Sequence, residues 1–370
     1  MRGPSQFDVT FPIYIYRGNK EADYGVHRRM ELPSGGNCHT YVMADLDLDG
    51  YVDLVITTCF GLRIFSGGPD GPRPDRYVDL RFAEDDLHIM QVLVADFNRD
   101  GYLDLVMPKG FRPLYVEPGQ KPKPTRGEIV WGGKDGFDPK CVWEIPFHSG
   151  YEASAADLNA DGFVDLIALN SGHAGDSAHA DPTLGANIFW GGPDGFDLDK
   201  RRTVLREHFL GTSGVADLNR DGYLDLVLEP FAPQKPGGKD MLFIYYGGKD
   251  GFDKSRRTAF PSDGYSQEHL IADLNDDDWL DIAVTTRKFH CVRIFWNGPA
   301  GFDPKREQRL KMSSPLGVDA ADFNGDGNED VFLSQNFFAV RVEDYRMDAG
   351  EGLHGIRCDD GRGEHPAVGV

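Results

Sequence analysis

The stretch Ala156–Leu169, ADLNADGFVDLIAL, joins an Asp-rich loop to an apolar strand, and near-copies of it occur along the chain. Self-similarity at a fixed period is the sequence signature of a repeat architecture. The first aspartates of the six Asp loops are Asp45, Asp96, Asp157, Asp217, Asp273 and Asp322. We call the segments that carry them units one to six, and we number each loop from its first aspartate.

A second element, a Gly-rich turn, recurs in the same phase. Its copies are FSGGPDG at Phe65, WGGKDGF at Trp131, WGGPDGF at Trp190, YGGKDGF at Tyr246 and WNGPAGF at Trp296. These glycines supply the positive φ angles that tight hairpins need. Each unit therefore has the order strand, Asp loop, strand, variable loop, strand, Gly-rich turn, strand.

Units of four strands, roughly 40 to 60 residues long and closed into a ring, are typical of an all-β fold, the β-propeller. A linear β-solenoid is the alternative, although its repeats are usually shorter. We expect a single domain over residues 1–370 with seven blades, and six is the alternative count. The approximate blade boundaries are 1–36 (partial), 37–87, 88–147, 148–207, 208–264, 265–312 and 313–370 (degenerate).

The charge balance narrows the choice of partners. The chain has 39 Lys and Arg against 60 Asp and Glu, a formal net charge of −21. Such an excess argues against nucleic acid and anionic membrane surfaces as partners. No apolar stretch approaches the ~18 to 20 residues that span a bilayer, so membrane insertion is not expected. Five cysteines without a C-x-x-C pair do not indicate a disulfide framework.

The Asp loops have the ligand spacing of a calcium site. In loop three, Asp157, Asn159 and Asp161 place side-chain oxygens at positions 1, 3 and 5, and Gly162 permits a sharp turn at position 6. A backbone carbonyl at position 7 and a carboxylate at position 9 complete a set that suits Ca²⁺. Zn²⁺ would require His or Cys, which the loops lack.

Applied to all six loops, this pattern predicts up to six bound Ca²⁺ ions. The predicted ligand positions are Asp45, Asp47, Asp49, Tyr51, Asp53, Asp96, Asn98, Asp100, Tyr102, Asp104, Asp157, Asn159, Asp161, Phe163, Asp165, Asp217, Asn219, Asp221, Tyr223, Asp225, Asp273, Asn275, Asp277, Trp279, Asp281, Asp322, Asn324, Asp326, Asn328 and Asp330. Loop five carries Asp278 where the others have Gly, and a positive φ there would strain the backbone. Without metal, the carboxylates of each hairpin would repel one another.

These loops resemble the FG-GAP/VCBS repeat propellers, a family that includes the integrin α-subunit head and many bacterial surface or secreted proteins. The resemblance covers residues ~40–335, and it implies that the D-x-[DN]-x-D-G-x-x-D hairpin binds Ca²⁺. The Phe-Gly and Gly-Ala-Pro elements of the integrin repeat are replaced here by W-G-G-x-D-G-F. This difference indicates the bacterial VCBS-like branch.

Recognition is expected on the face opposite the Asp loops, where loop length varies. Long loops follow the second strands of units two, three and four, in residues 108–127, 170–185 and 229–240. Polar side chains at the entry to the first strands are candidates for ligand binding near the channel rim. They are His88, His148, Tyr151, His208, Tyr265 and His269.

The sequence therefore favours a calcium-stabilised binding module, with a carbohydrate or a protein surface as ligand on the loop-rich face. A calcium-dependent polysaccharide lyase or glycoside hydrolase is the first alternative, and an assembly role within a larger secreted or surface protein is the second. Calcium loops of this kind fill outside the cytosol, so an extracellular, periplasmic or cell-surface location is expected, although no signal peptide is visible. The chain is expected to be a monomer or part of a longer chain.

Overall fold

The structure of the chain is a computed structural model. It describes residues 12–18, 25–36, 38, 40–58, 60–82, 88–89, 91–110, 127–146, 150–170, 185–193, 195–207, 210–230, 241–262, 266–286, 290–312 and 315–335. Among these residues, no helix is long and apolar enough to cross a membrane.

Units one to five each form a four-stranded antiparallel sheet in chain order, which confirms the predicted all-β fold. Unit one comprises β3 (Tyr41–Ala44), β4 (Asp53–Thr58), β5 (Gly61–Phe65) and β6 (Tyr77–Arg81). Unit two comprises β8 (Leu93–Ala95), β9 (Asp104–Met107), β11 (Gly127–Val130) and β12 (Val142–Ile145), with the short pair β7 (His88–Ile89) and β10 (Lys109–Gly110) beside it.

Units three to five repeat this arrangement with longer first strands. Unit three comprises β13 (Gly150–Ala156), β14 (Asp165–Asn170), β15 (Gly185–Phe189) and β16 (Arg202–Leu205). Unit four comprises β17 (Leu210–Ala216), β18 (Asp225–Pro230), β19 (Met241–Tyr245) and β20 (Arg257–Pro261). Unit five comprises β21 (Ser266–Ala272), β22 (Asp281–Thr286), β23 (Cys291–Phe295) and β24 (Glu307–Lys311).

Two-stranded sheets lie at the two ends of the described chain. At the N-terminal end, β1 (Ile13–Tyr16) pairs with β2 (Arg29–Leu32), and a 3-10 turn (Val26–Arg28) precedes β2. In unit six, β25 (Pro315–Ala321) pairs with β26 (Asp330–Gln335). The blade count of seven stays a prediction, because the second half of the last blade falls outside the described residues.

The second strand of each complete unit lies in the core. All described side chains of β4, β9, β14, β18 and β22 are buried, whereas most side chains of the fourth strands are partly or fully exposed. A strand that is apolar on both faces must be covered on both sides. Neighbouring sheets supply this cover, as where Leu169 of unit three packs with Leu226 and Tyr245 of unit four.

The first strands of successive units are neighbours, with β3 beside β8, β8 beside β13, β13 beside β17, β17 beside β21 and β21 beside β25. This is how the blades of a propeller surround a common axis. The register between first and second strands shifts at the start of β13, β17, β21 and β25. Such β-bulges re-aim side chains locally, here at the end of the unit opposite the Asp loop.

Candidate metal centre

The Asp loops join the first and second strands of each unit, and all six wind through left-handed backbone. Position 4 has φ between 57° and 59° in the first five loops, although its residues are Leu48, Arg99, Ala160, Arg220 and Asp276. Position 6 is also left-handed, with φ between 87° and 89° at the glycines of loops one to four. Side chains other than Gly disfavour this region, so the geometry is held by the contacts around it.

Those contacts run from side-chain oxygens to the loop's own amides. In loop three, the two carboxylate oxygens of Asp157 accept the N–H groups of Asp161 and Gly162, at 3.0 and 2.8 Å. Asn159 Oδ1 accepts the Asp161 N–H at 3.0 Å, and Asp161 Oδ1 accepts the Phe163 N–H at 2.9 Å. Loops one, two, four and five repeat these bonds with the equivalent residues. The side chains at positions 1, 3 and 5 are therefore held by amides of their own loop.

The oxygens of loop one are close enough to hold one cation. One carboxylate oxygen from each of Asp45, Asp47 and Asp49 lies within 4.8 Å of the others. At position 3 of loop two, Asn98 Oδ1 accepts the N–H of Asp100, just as Asp47 Oδ1 accepts the N–H of Asp49 in loop one. Asn159, Asn219 and Asn275 do likewise. An oxygen-only donor set of carboxylates and amides fits a hard cation such as Ca²⁺.

In loops one to five, the aspartate at position 9 is buried and bonds different groups from the side chains at positions 1, 3 and 5. Asp165 is fully buried, and its two oxygens accept the N–H of Leu158 at 2.9 Å and the N–H of Gly191 at 2.7 Å. Leu158 lies in the Asp loop and Gly191 in the Gly-rich turn, so one carboxylate ties both turns of the unit together. The same clamp is made by Asp53, Asp104, Asp225 and Asp281.

Burial raises the pKa of these clamp carboxyls. The pKa of Asp104, Asp165, Asp225 and Asp281 rises to about 6, because desolvation and the nearby loop aspartates outweigh the two amide donors. The pKa of Asp53 is raised for the same reason. A bound cation would add positive charge beside these groups and favour their ionised form.

Loops five and six keep the left-handed winding of the other loops but differ from them in sequence. Asp278 has φ of 68° at position 6 of loop five, so the strain predicted from the sequence is present. In loop six, Gly325 and Gly327 adopt φ of 76° and 89°, and Asp330 Oδ2 accepts the Phe323 N–H at 3.2 Å. Most of loop six is exposed, and half of its unit lies outside the described residues.

Two of the aromatic residues at position 7 connect adjacent loops through their side chains. The Arg99 guanidinium of loop two lies 4.8 Å from the ring centroid of Phe163 in loop three. Arg220 of loop four lies 4.5 Å from the Trp279 ring of loop five. These are cation–π contacts between units, worth about 0.5 to 1 kcal/mol at exposed sites. From the sequence, position 7 was expected to contribute only its backbone carbonyl.

Of the six proposed ligand-binding side chains at the channel rim, the structure describes one. His148, His208 and Tyr265 lie outside the described residues, and only the backbones of His88 and Tyr151 are described. His269 lies on β21 with 16 % of its side chain exposed, and its Nδ1 atom is 3.7 Å from Glu229 Oε1 on β18. The proposed ring of His and Tyr thus stays a prediction.

Glu229 and His269 form a buried pair whose glutamate was not predicted from the sequence. Glu229 Oε2 accepts the hydroxyls of Thr212, at 3.3 Å, and Ser266. Within the described part of the chain, Glu229 Oε1 and His269 Nδ1 have no hydrogen-bond partner. Burial raises the pKa of Glu229 to about 8 and lowers that of His269 to about 4. At neutral pH both groups are therefore mainly uncharged.

Polar contacts also connect the first strands of neighbouring units. Gln91 Oε1 accepts the Ala153 N–H of the next unit at 2.7 Å, and Glu152 Oε1 accepts the Ser213 N–H of the unit after that at 3.0 Å. Gln91 and Glu152 occupy the same place, five residues before the first loop aspartate. That shared offset was the signal that could have revealed them.

The Trp residues of the Gly-rich turns are partly buried. Trp131 packs against the core between units two and three, and Trp190 against the core between units three and four. Trp296 packs against the core that units five and six share. Trp190 also stacks on Phe252 of the next unit with ring centroids 6.2 Å apart.

Part of the repeated region matches a known family of sequences. Residues 273–333, which contain loops five and six, match the FG-GAP-like repeat family. Integrin alpha-PS3 of Drosophila melanogaster is 28 % identical over 165 residues, an alignment that covers 40 % of this chain and 14 % of that protein. The chain thus spans only a small part of this relative.

Two solved structures are similar over most of the chain. One is an Agrocybe aegerita lectin with specific recognition of non-reducing terminal N-acetylglucosamine, at 16 % identity and a TM-score of 0.46, covering 87 % of this chain and 79 % of that one. The other is BBS1N in complex with ARL6DN, at 10 % identity and a TM-score of 0.45, covering 80 % of this chain and 75 % of that one. At these low identities, neither similarity bears on what this chain binds.

The ligand spacing of the loops, the family match over loops five and six and the alignment with an integrin chain agree with the resemblance drawn from the sequence. The chain contains FG-GAP-like repeats and is a distant homologue of integrin alpha.

Proposed function

We propose that this chain is a calcium-stabilised β-propeller that acts as a binding module, with a carbohydrate or a protein surface as its ligand. The carrying observation is the bonding pattern of positions 1, 3 and 5, which repeats from loop to loop and brings three carboxylate oxygens together in loop one. Five loops hold these oxygens with the same amide bonds and the same left-handed residue at position 4.

In this proposal, the side chains at positions 1, 3 and 5 and the carbonyl at position 7 hold Ca²⁺ in each loop. The ion would neutralise crowded carboxylates and cross-link the hairpin. The position 9 aspartate fixes the two turns that frame the site, and its own place in the coordination shell stays a prediction. Positions 1, 3, 5 and 7 would thus bind the ion, while position 9 keeps the loop in shape.

Chelation tests the metal part of the proposal. Removing Ca²⁺ with excess EDTA is expected to lower the melting temperature by several degrees or more, because a ligand at 100 times its Kd stabilises by about 2.7 kcal/mol per site. Melting is followed by circular dichroism with Ca²⁺, with Mg²⁺ and with EDTA. An equal melting temperature in Ca²⁺ and in EDTA would contradict the proposal that bound Ca²⁺ stabilises the fold.

The binding role is proposed for other surfaces because the carboxylates of the Asp loops are already engaged within their own units. In the described units they fix turns and loop backbones, so recognition is proposed for surfaces outside the hairpins. The long loops at residues 108–127, 170–185 and 229–240 remain the sequence-based candidate on the opposite face. An extracellular, periplasmic or cell-surface location is proposed with this role, because loops of this type fill near millimolar Ca²⁺.

A glycan array and a panel of cell-surface proteins, probed with the labelled calcium-loaded chain, test the binding role. The best-bound polysaccharide is then incubated with the protein and assayed for new reducing or unsaturated ends. Binding without new ends supports a module, whereas new ends support the lyase or hydrolase alternative. Retention of neither glycans nor proteins contradicts the binding role and leaves the calcium result standing by itself.

A further inference from the structure

A cleft lies between units two and three on the face of the Asp loops. Its volume is about 670 Å³, within the 300–1,000 Å³ that small-molecule sites commonly have. Trp143 of β12 forms one wall, and the Gly-rich turn of unit three forms the other. The lining residues are Trp143, Pro193, Phe196, Asp197, Leu198 and Arg201.

Trp143 departs from the repeat at this place. It pairs with Ile129 across the strand, and the residues in the same register of units three and four are Thr203 and Thr258. Those threonines make hydrogen bonds with Trp190 and Tyr246 of their own units, at 2.9 and 3.1 Å. Unit two thus has an indole where units three and four have a threonine hydroxyl that is hydrogen-bonded within the unit.

The indole is held in place while its surface stays open. Trp143 packs edge-to-face against Trp131, with centroids 5.1 Å apart and an interplanar angle of 89°. It remains 43 % exposed, and its Nε1–H makes no hydrogen bond with any described residue. A large aromatic group that is fixed and exposed has a hydrophobic cost, which a ligand packed on it would remove.

The opposite wall combines an apolar floor with polar groups of both signs. Phe196 is 6 % exposed and packs on Phe97 of unit two. Asp197 Oδ1 accepts the N–H groups of Lys200 and Asp199, which lower the pKa of this carboxyl and keep it ionised. The Arg201 guanidinium donates to the Gly195 carbonyl through Nη2, and its other N–H groups have no partner among the described residues.

We propose that this cleft is a carbohydrate-binding site in which the Trp143 indole stacks on the apolar face of a neutral sugar ring. Asp197 Oδ2 accepts hydroxyl protons of the sugar, and the Trp143 and Arg201 N–H groups donate to its oxygens. A purely apolar ligand would leave the Asp197 carboxylate desolvated, and the net charge of −21 disfavours an anionic one. This inference rests on the proposed binding role, and it names a second location and one ligand class.

The test uses the calcium-loaded chain and a panel of neutral disaccharides: maltose, cellobiose, lactose and chitobiose. Affinity is measured by calorimetry and by the change in tryptophan fluorescence. We expect at least one disaccharide to bind, and we expect Trp143→Thr and Asp197→Asn to weaken it about tenfold or more. Trp143→Thr installs the residue that units three and four carry, so the sheet should keep its stability.

Val78→Thr is the matched control, because Val78 is the exposed apolar residue in the same register of unit one. It should leave affinity unchanged. Binding by the wild type that Trp143→Thr does not weaken would overturn the cleft assignment while the binding role stands. Failure of every disaccharide to bind also overturns it, and a protein ligand found among the cell-surface proteins would then still support the binding role.

Discussion

The Asp loops and the first strands lie next to each other in every unit, yet they differ in how far they repeat. The hydrogen bonds of the loop recur with the same partners in five units. Between first strands, Gln91 of unit two and Glu152 of unit three bond the next unit from the same place. Unit four carries Thr212 there instead, and its hydroxyl donates to Glu229 of its own unit. The difference separates two tasks: repeated residues stabilise each unit internally, and the residues that vary connect one unit to the next.

The largest effect is expected at the clamp. Asp165→Ala leaves the buried N–H groups of Leu158 and Gly191 without an acceptor, which should lower the free energy of unfolding by about 4 kcal/mol. The measurement is urea unfolding in EDTA, so that metal does not contribute.

Asp161→Ala is the control for the clamp, because Asp161 is exposed and water can replace it. Asp161→Ala should lower the free energy of unfolding in EDTA by less than about 1 kcal/mol. Equal costs for the two variants would contradict the distinction between a buried clamp and exposed ligand positions.

The next effect concerns Glu229, a residue that only unit four carries at its place. Its folded pKa of about 8 lies above that of the unfolded chain, so the native state binds the extra proton, and stability is lost as pH rises toward 8. The wild type should lose about 2 kcal/mol more than Glu229→Gln between about pH 6.5 and pH 9. The lowered pKa of His269 acts in the opposite sense, but below this window.

Urea unfolding of both proteins across that pH range measures the difference. Thr285→Val is the control in unit five, where a threonine occupies the equivalent place and no carboxyl titrates. Its stability should follow the pH dependence of the wild type. Parallel curves for wild type and Glu229→Gln would show that Glu229 keeps an ordinary pKa.

The smallest effect is expected within the repeated loops. Asp278→Gly relieves a side chain at φ of 68° and should raise stability by about 0.5 kcal/mol, the strain relief being partly offset by the entropy of glycine. Asp278→Ala, which lacks the tolerance of Asp for this region, should lower it. Thermal unfolding in EDTA compares the three. A lower melting temperature for Asp278→Gly would mean that the Asp278 side chain contributes a contact of its own.

The repeated part of the molecule could be predicted from the sequence because its determinants are local. The turn at Gly162, the ligand spacing around Asp157 and the strain at Asp278 depend on residues a few positions apart. The clamp was harder to foresee, since Asp165 bonds Gly191 in another turn. The pairing of Glu229 with His269 and the cleft beside Trp143 depend on how side chains from different strands or units meet, which no periodicity encodes.

The two arginine contacts on the loop face have a consequence for recognition. Arg99 joins loop two to loop three and Arg220 joins loop four to loop five. Loops one and three carry the uncharged residues Leu48 and Ala160 at the same position. The cleft of Trp143 and Phe196 lies within the first joined pair. The Arg99 contact adds to the core that units two and three share, where Phe196 packs on Phe97. A sugar bound as proposed would then meet walls that rest on one packed interface, and it would lose less affinity to ordering.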